Sequence, residues 1–271
     1  MDKSIGKVDQ LWRYPVKSMA GEKIDSSKIT NAGLLGDRYY AMKNIETNKI
    51  LSAKNFRKYP DIFYFKSEYL NEPTKDSFEV AIIFPNKEKY LSTNNDTDKA
   101  LSSFFNENIK LTKKIPDEIS LKEYWPDDVK QRERDGKQVT NEFMPDGTFF
   151  DLATIHIITL SSIEKLKQLY PEGNFDLNRF RANIVIDLDS KEIGFIENDW
   201  VGKTIHIGDE VVLKITRATP RCVMTTLEHE NIPKDKQVHK TIIKNNNNDL
   251  GVYAEVIKEG IIKKDDLIKI V

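Results

Sequence analysis

Apolar residues along this chain fall in short runs broken by Gly, Pro and polar turns, which predicts many short strands and few helices. Residues 8–14 are apolar and aromatic and stop at Pro15, a strand pattern. Residues 32–37 (AGLLGD) form a glycine-punctuated bend, and 38–42 (RYYAM) read as the strand after it. Aromatic and β-branched runs at 62–65 and 78–84 add two more strands. The first helical period falls at 97–105, where Ala100, Leu101, Phe104 and Phe105 share a face and Asp96 or Thr97 is placed to cap.

From 115 to 148 the pattern lapses into polar residues with Pro116, Pro126, Gly136, Pro145 and Gly147, read as a linker and a long surface excursion over 124–148. Periodicity resumes at 155–160 (IHIITL), a strand. A helix follows, with Ser161 and Glu164 matching a capping box and Ile163, Leu166, Leu169 and Tyr170 forming its stripe until Pro171. Further strands are predicted at 178–187, 211–215, 223–227 and 252–257. Short strands in this number suggest barrels or sandwiches. The expectation is a mainly β (α+β) chain of two β-rich domains, 1–114 and 115–271, each a small barrel-like sheet with a few short helices.

Composition narrows the function. The chain has 42 Lys and Arg against 43 Asp and Glu, a net charge of -1, so the electrostatic footprint of a general nucleic-acid binder is missing. No apolar run reaches the roughly 18 residues of a membrane span, and the first residues show no signal-peptide core. A soluble cytoplasmic protein, with neither membrane nor nucleic acid as partner, is the expectation. The single cysteine, Cys222, can form no internal disulfide and cannot alone hold a zinc ribbon or an iron–sulfur cluster. The asparagine run 245–248 reads as compositional bias without functional weight.

Five places carry candidate chemistry. As a strand, 179–184 would put Arg179, Arg181 and Asn183 on one face, a donor set suited to phosphate or carboxylate; the alternative is a solvated face of surface ion pairs. Pro220 removes a backbone donor and places the segment at an edge or loop. Cys222 follows Arg221, whose cation favours thiolate, the form that binds a soft metal or attacks an electrophile; the alternative is an inert, buried thiol. Lys17 and Ser18, on the proline-set turn after the first strand, can hold an anion or merely form an exposed turn. Gly36-Asp37-Arg38 can deliver a further guanidinium or be a plain β-turn. The helix start near Ser161 offers free N–H groups to an anion or simply caps itself. His156, His206, His229 and His239 show no zinc-helix spacing, and His156 reads as a core residue. Phosphate-loop, dinucleotide-fold and α/β-hydrolase motifs are absent.

Taken together and in order, residues 8–18 (VDQLWRYPVKS), 33–38 (GLLGDR), 179–187 (RFRANIVID) and 219–226 (TPRCVMTT) resemble the molybdenum cofactor sulfurase C-terminal domain, or MOSC, proteins. The N-terminal segments resemble the β-barrel domain that precedes MOSC in the branch containing the amidoxime-reducing components. The resemblance implies a molybdenum–molybdopterin cofactor between the two domains, with Cys222 as catalytic residue and metal ligand. It implies Lys17, Ser18, Arg38, Arg181, Asn183 and Arg221 as residues that hold the pterin and its phosphate, with Thr159 and Ser161 near a further phosphate-contacting segment.

The activity implied is reduction of a small N-hydroxylated substrate of the amidoxime or hydroxylamine type. Electrons would come from a separate donor protein, a flavin or iron–sulfur reductase, because the chain lacks cluster cysteines. Ala182 stands where many relatives have Pro, and Met19 where small residues or Cys are frequent. Two other functions suit the same residues: a sulfur carrier with a persulfide on Cys222 for metal–sulfur cofactor assembly, and a non-catalytic module binding a phosphorylated ligand through Arg181 and Arg221.

Overall fold

Seven strands close on themselves in the computed structural model, which describes residues 4–74, 76–113, 120–124, 139–143 and 149–271. They are β1 (Gly6–Arg13), β2 (Ile155–Thr159), β3 (Ile184–Leu188), β4 (Thr204–Ile207), β5 (Val211–Pro220), β6 (Asp249–Lys258) and β7 (Leu267–Ile270). The order around the barrel is β1-β3-β2-β6-β5-β4-β7, and β7 returns to β1. Every pairing is antiparallel except β2 with β3. A parallel pair needs a crossover, and helix α2 (Leu160–Leu169) begins it directly after β2. The N-terminal strand therefore completes the barrel built mostly from the last part of the chain.

Period-2 alternation explains the filling. Ile205 and Ile207 of β4 and Val211, Leu213 and Ile215 of β5 point inward with Val8, Leu11, Ile155, Ile157, Ile184 and Ile186. Strand β2 is buried along its whole length, because Ile158 faces the other way, into a cluster with Ile163, Leu166, Val238 and Ile242. That second cluster lies under α2 and α3 (Lys236–Asn246).

Between β1 and the barrel's remaining strands lies a second β-rich unit. Its sheets pair Lys66–Tyr69, Val80–Ile83 and Lys89–Leu91, and Ala41–Asn44 with Ile109–Thr112. They enclose Met42, Phe63, Phe65, Val80, Ile82 and Leu101. Helix α1 (Asn95–Phe105) packs there, capped by Asn94 and ended by Asn106 in a left-handed conformation. Near the other end of the chain, Gly260–Lys263 pairs with Ser26–Thr30. No helix among the described residues is long and apolar enough to cross a membrane.

Several local expectations are corrected. Residues 62–65 are not a strand: Pro60–Tyr64 is a 3-10 turn, with Pro60 at its first position. Arg38 lies in a turn, and the strand expected over 38–42 begins at Ala41. The expected strand 178–187 starts only at Ile184, after the 3-10 turn Leu177–Arg179. Val223–Thr226 is also a 3-10 turn. The cap of α1 is Asn94, not Asp96 or Thr97. Thr159, not Ser161, caps α2, its hydroxyl accepting the Ser162 N–H. Apolar runs this short do not separate a strand from a tight turn by periodicity alone. Of the 124–148 excursion, Val139–Phe143 pairs with Ser120–Tyr124 in an antiparallel ribbon; 125–138 and 144–148 lie outside the described residues.

Candidate functional site

Tyr14 begins the site. Its N–H donates to Asp37 Oδ1 at 2.7 Å, its carbonyl accepts the Arg38 N–H at 2.8 Å, and its hydroxyl donates to the Ala182 carbonyl at 3.3 Å. One residue thereby ties the turn after β1 to the Gly36–Arg38 turn and to the turn before β3. The guanidiniums of Arg38 and Arg181 lie 4.8 and 4.2 Å from the centre of its ring. Phe150 backs Arg38 at 5.4 Å and Phe63 backs Arg181 at 5.8 Å. Aromatic faces attract cations, so the ring offsets part of the repulsion between two neighbouring positive groups.

Three candidate residues sit in left-handed backbone: Ser18 (φ 67°), Arg38 (φ 48°) and Arg181 (φ 56°). Non-glycine residues in that region are uncommon and collect at functional sites. The left-handed turn explains why Arg179, Arg181 and Asn183 do not share a face. Arg179 is buried and points into the fold, donating to the carbonyls of Asn174 (2.9 Å), Thr225 (2.9 Å) and Pro233 (2.8 Å). Arg181 turns the other way and donates to the Met19 carbonyl at 2.7 Å. Asn183 is internal as well: its Nδ2 donates to Asp37 Oδ2 at 2.9 Å, and its Oδ1 accepts the His156 N–H at 3.1 Å.

A carboxylate no motif pointed to lies at the centre. Asp151 pairs with Lys17, and Lys54 lies 3.6 Å from its other oxygen. Lys17 also donates to the Phe149 carbonyl at 2.8 Å. Burial alone would raise the Asp151 pKa, but Lys17, Lys54 and Arg38 together hold it well below the usual carboxylate range. Arg181 and Arg221 feel the same carboxylate. Burial, with Arg38 nearby, brings the Arg181 guanidinium down to about 10. Burial likewise lowers Arg221 and Lys17. Burial also opposes the charge on Arg38, but its pairing with Asp37 outweighs this and raises the pKa. Five cations thus gather around two carboxylates, Asp37 and Asp151, and burial disfavours the charge on Lys17, Arg38, Arg181 and Arg221.

Cys222 is partly exposed and lies directly after Arg221, just past the end of β5. Arg221 feels its sulfur, as does Tyr253 of β6. Arg221 Nη2 donates to the Phe180 carbonyl at 2.8 Å, while its Nε is buried without an acceptor. The asparagine run holds this segment in place. Arg221 N–H donates to the Asn248 carbonyl at 2.8 Å, and Asn248 Nδ2 donates back to the Arg221 carbonyl at 2.9 Å. His239 Nε2 lies 3.1 Å from that carbonyl and 2.7 Å from Asn248 Oδ1, both acceptors, so it carries a proton. Asn247, left-handed, ends α3. The asparagine run thus has a structural role that composition does not suggest: Asn248 brackets the Arg221–Cys222 segment.

The structure brings Lys17, Arg38, Arg181, Arg221 and Cys222 together. Ser18 stands beside them, its Oγ accepting the Ala53 N–H at 3.1 Å. Thr159 and Ser161 belong to a different cluster. The Thr159 hydroxyl donates to the buried Glu197 carboxylate at 2.7 Å, and Ser161 Oγ donates to the Glu192 and Gly194 carbonyls. Asp151, Lys54 and Tyr253 lie in no sequence motif, whereas Tyr14, inside the Tyr14–Ser18 segment, carries a local signal. Among the described residues no group of three or more His, Cys, Asp or Glu could hold a metal ion. A buried cation excess beside one thiol can hold a polyanion and give a soft metal a single protein ligand.

Two sequence profiles match the chain: the MOSC N-terminal beta barrel domain over residues 5–120 and the MOSC domain over residues 146–269. No curated protein matches it at a significant level. Among solved structures, the YuaD protein from Bacillus subtilis is similar at a TM-score of 0.48 and 10% identity, over 100% of this chain and 98% of that one. YiiM from Geobacillus stearothermophilus is similar at a TM-score of 0.31 and 14% identity, over 44% of this chain and 54% of that one. YiiM from Escherichia coli gives 0.31 and 12%, over the same shares.

Proposed function

Because the chain belongs to the MOSC-domain proteins in which an N-terminal MOSC β-barrel domain precedes the MOSC domain, we propose that it is a molybdenum–molybdopterin enzyme reducing N-hydroxylated compounds of the amidoxime or hydroxylamine type. The observation that carries this reading is the meeting of Lys17, Arg38, Lys54, Arg181 and Arg221 around Asp151, next to the only thiol. The residues fit such a group. Arg221 Nε is a buried donor still lacking an acceptor, the cations outnumber the carboxylates, and Cys222 is a soft ligand.

When bound, the cofactor supplies a redox-active metal that takes part in two-electron oxygen-atom transfer. Cys222 thiolate would be its protein ligand. Arg38 and Arg181, pre-aligned on Tyr14, would hold the phosphate by charge-assisted bonds, and Lys17, Ser18 and Arg221 would complete the cradle. Asn183 acts through others, fixing Asp37 and the His156 backbone. Thr159 and Ser161 keep α2 in place. The overall reaction adds two electrons and two protons to an N–OH group, breaks the N–O bond and releases water. The electrons come from a separate flavin or iron–sulfur protein.

The test is molybdenum and pterin per chain in protein purified from a molybdopterin-competent host. The proposal expects both, with Cys222→Ala folded, depleted in molybdenum and inactive toward an N-hydroxyamidine. Metal-free protein carrying transferable sulfane sulfur on Cys222 would replace this reading with sulfur carriage. Anion binding lost in Arg181→Ala, together with full function in Cys222→Ser, would replace it with a phosphorylated-ligand module.

A further inference from the structure

Among the described residues, four buried side-chain polar atoms find no hydrogen-bond partner: Asn55 Oδ1, Asn198 Oδ1, Thr219 Oγ1 and Arg221 Nε. Such orphans are rare in folded proteins and call for an explanation. Three of the four lie on two stretches that flank Cys222. Thr219 and Arg221 precede it, and the turn Ala53–Asn55 packs against the turn Val223–Thr226 that follows it.

Asn55 is 7% exposed, and the turn that carries it is tied down. Ser18 Oγ accepts the Ala53 N–H at 3.1 Å, Ser52 Oγ accepts the Lys54 N–H at 3.2 Å, and the Lys54 ammonium reaches Asp151. The backbone of Asn55 is used up: its N–H donates to the Ser52 carbonyl at 2.9 Å, and its carbonyl accepts the N–H groups of Lys58 and Tyr59 at 3.0 Å. Its side-chain carbonyl is the one Asn55 atom that is both buried and without a partner, on a turn beside the anion cradle.

The two orphans differ in kind. Arg221 Nε is a donor, which any phosphate or carboxylate satisfies. Asn55 Oδ1 is an acceptor, which no pure anion satisfies. A guest that meets both needs an N–H donor and an acceptor on one edge, as an amidine or a lactam has. Pterin rings and N-hydroxyamidines share that edge chemistry.

We infer that Asn55 is a ligand-binding residue whose side-chain carbonyl accepts an N–H from the amidine- or lactam-like edge of a molecule seated beside Cys222. This rests on the reading that a pterin cofactor and an N-hydroxylated substrate meet there. It adds a neutral recognition element to a site otherwise made of charges.

The test uses Asn55→Leu, which keeps the volume and removes the acceptor, and Asn55→Asp, which keeps an acceptor. Pterin release from the loaded protein is followed by the fluorescence of the oxidised pterin. KM and kcat per molybdenum are measured for an N-hydroxyamidine and for a simple hydroxylamine lacking the second nitrogen. Loss of one buried neutral hydrogen bond is expected to cost about tenfold. If the pterin edge is the guest, Asn55→Leu releases pterin about tenfold faster. If the substrate is the guest, KM rises about tenfold for the N-hydroxyamidine alone. In either case Asn55→Asp stays near wild type.

Cooperatively folded Asn55→Leu with unchanged release and unchanged KM overturns the inference and leaves the orphan to a trapped water. Wild-type protein that holds no pterin overturns the proposed function and this inference with it, so the two failures are told apart.

Discussion

Replacing Arg179 by Met tests whether this guanidinium is a clamp rather than a ligand contact. The side chain is 1% exposed and donates to three carbonyls at 2.8–2.9 Å, with Leu227 more distant at 3.4 Å. Two of those carbonyls, Thr225 and Pro233, belong to the segment just after Cys222. Hydrogen bonds from a charged group contribute about 1.5–3 kcal/mol each, so three of them amount to roughly 5–9 kcal/mol. Burying the charge with Asp235 and Asp176 acting only at longer range opposes this by several kcal/mol, and Met recovers that part. The net expectation is a loss of about 3–5 kcal/mol, or roughly 10 °C in melting temperature at about 2–4 °C per kcal/mol.

Hydrogen exchange should show the loss concentrated at 222–235, since that segment hangs on Arg179. Anion affinity per folded molecule should stay near wild type, because Arg179 points away from the cradle. A stability loss below about 1 kcal/mol, or unaltered exchange at 222–235, refutes the clamp.

Arg181→Ala should behave the other way: pyrophosphate, a probe with no pterin, should raise the melting temperature of the wild type and much less that of the variant. The shift follows the linkage of ligand to the folded state, about 2.7 kcal/mol at a hundredfold excess over Kd; equal shifts in both proteins would contradict the cradle. Burial raises the Glu197 pKa above 4.5 despite the hydroxyls of Thr159 and Ser162. A raised folded-state pKa means a stabilising contribution fully present below about pH 4.5 and lost as pH rises through the folded value. Glu197→Gln should therefore gain stability relative to wild type between acid and neutral pH, and parallel melting curves across that range would rule this out. Gly251→Ala should cost about 2–4 kcal/mol in denaturant unfolding, since a Cβ there meets His156 Nε2 at 2.4 Å and the Ile157 carbonyl at 2.5 Å with φ at +81°; a loss under about 1 kcal/mol would mean that β2 and β6 yield readily.

Local pattern alone determined much of this protein. Alternation and β-branched content marked β1, β2, the start of β5 and the later part of β6, because a barrel strand must send every second side chain into one core. The four short motifs, each weak, carried the family by their order and pointed to Lys17, Arg38, Arg181, Arg221 and Cys222. Tertiary structure decided the rest. Arg179 closes a 3-10 turn and Arg181 is itself left-handed, so the two side chains part company in a way no period of two can foretell. Asp151 and Lys54 reach the site only through contacts between segments about a hundred residues apart (Lys54–Asp151), and the Asn248 bracket through its pairing with Arg221. Charge, hydrogen bonding and burial act through space, while a sequence records only neighbours along the chain, so a cradle assembled from six separate segments becomes visible once the barrel has closed.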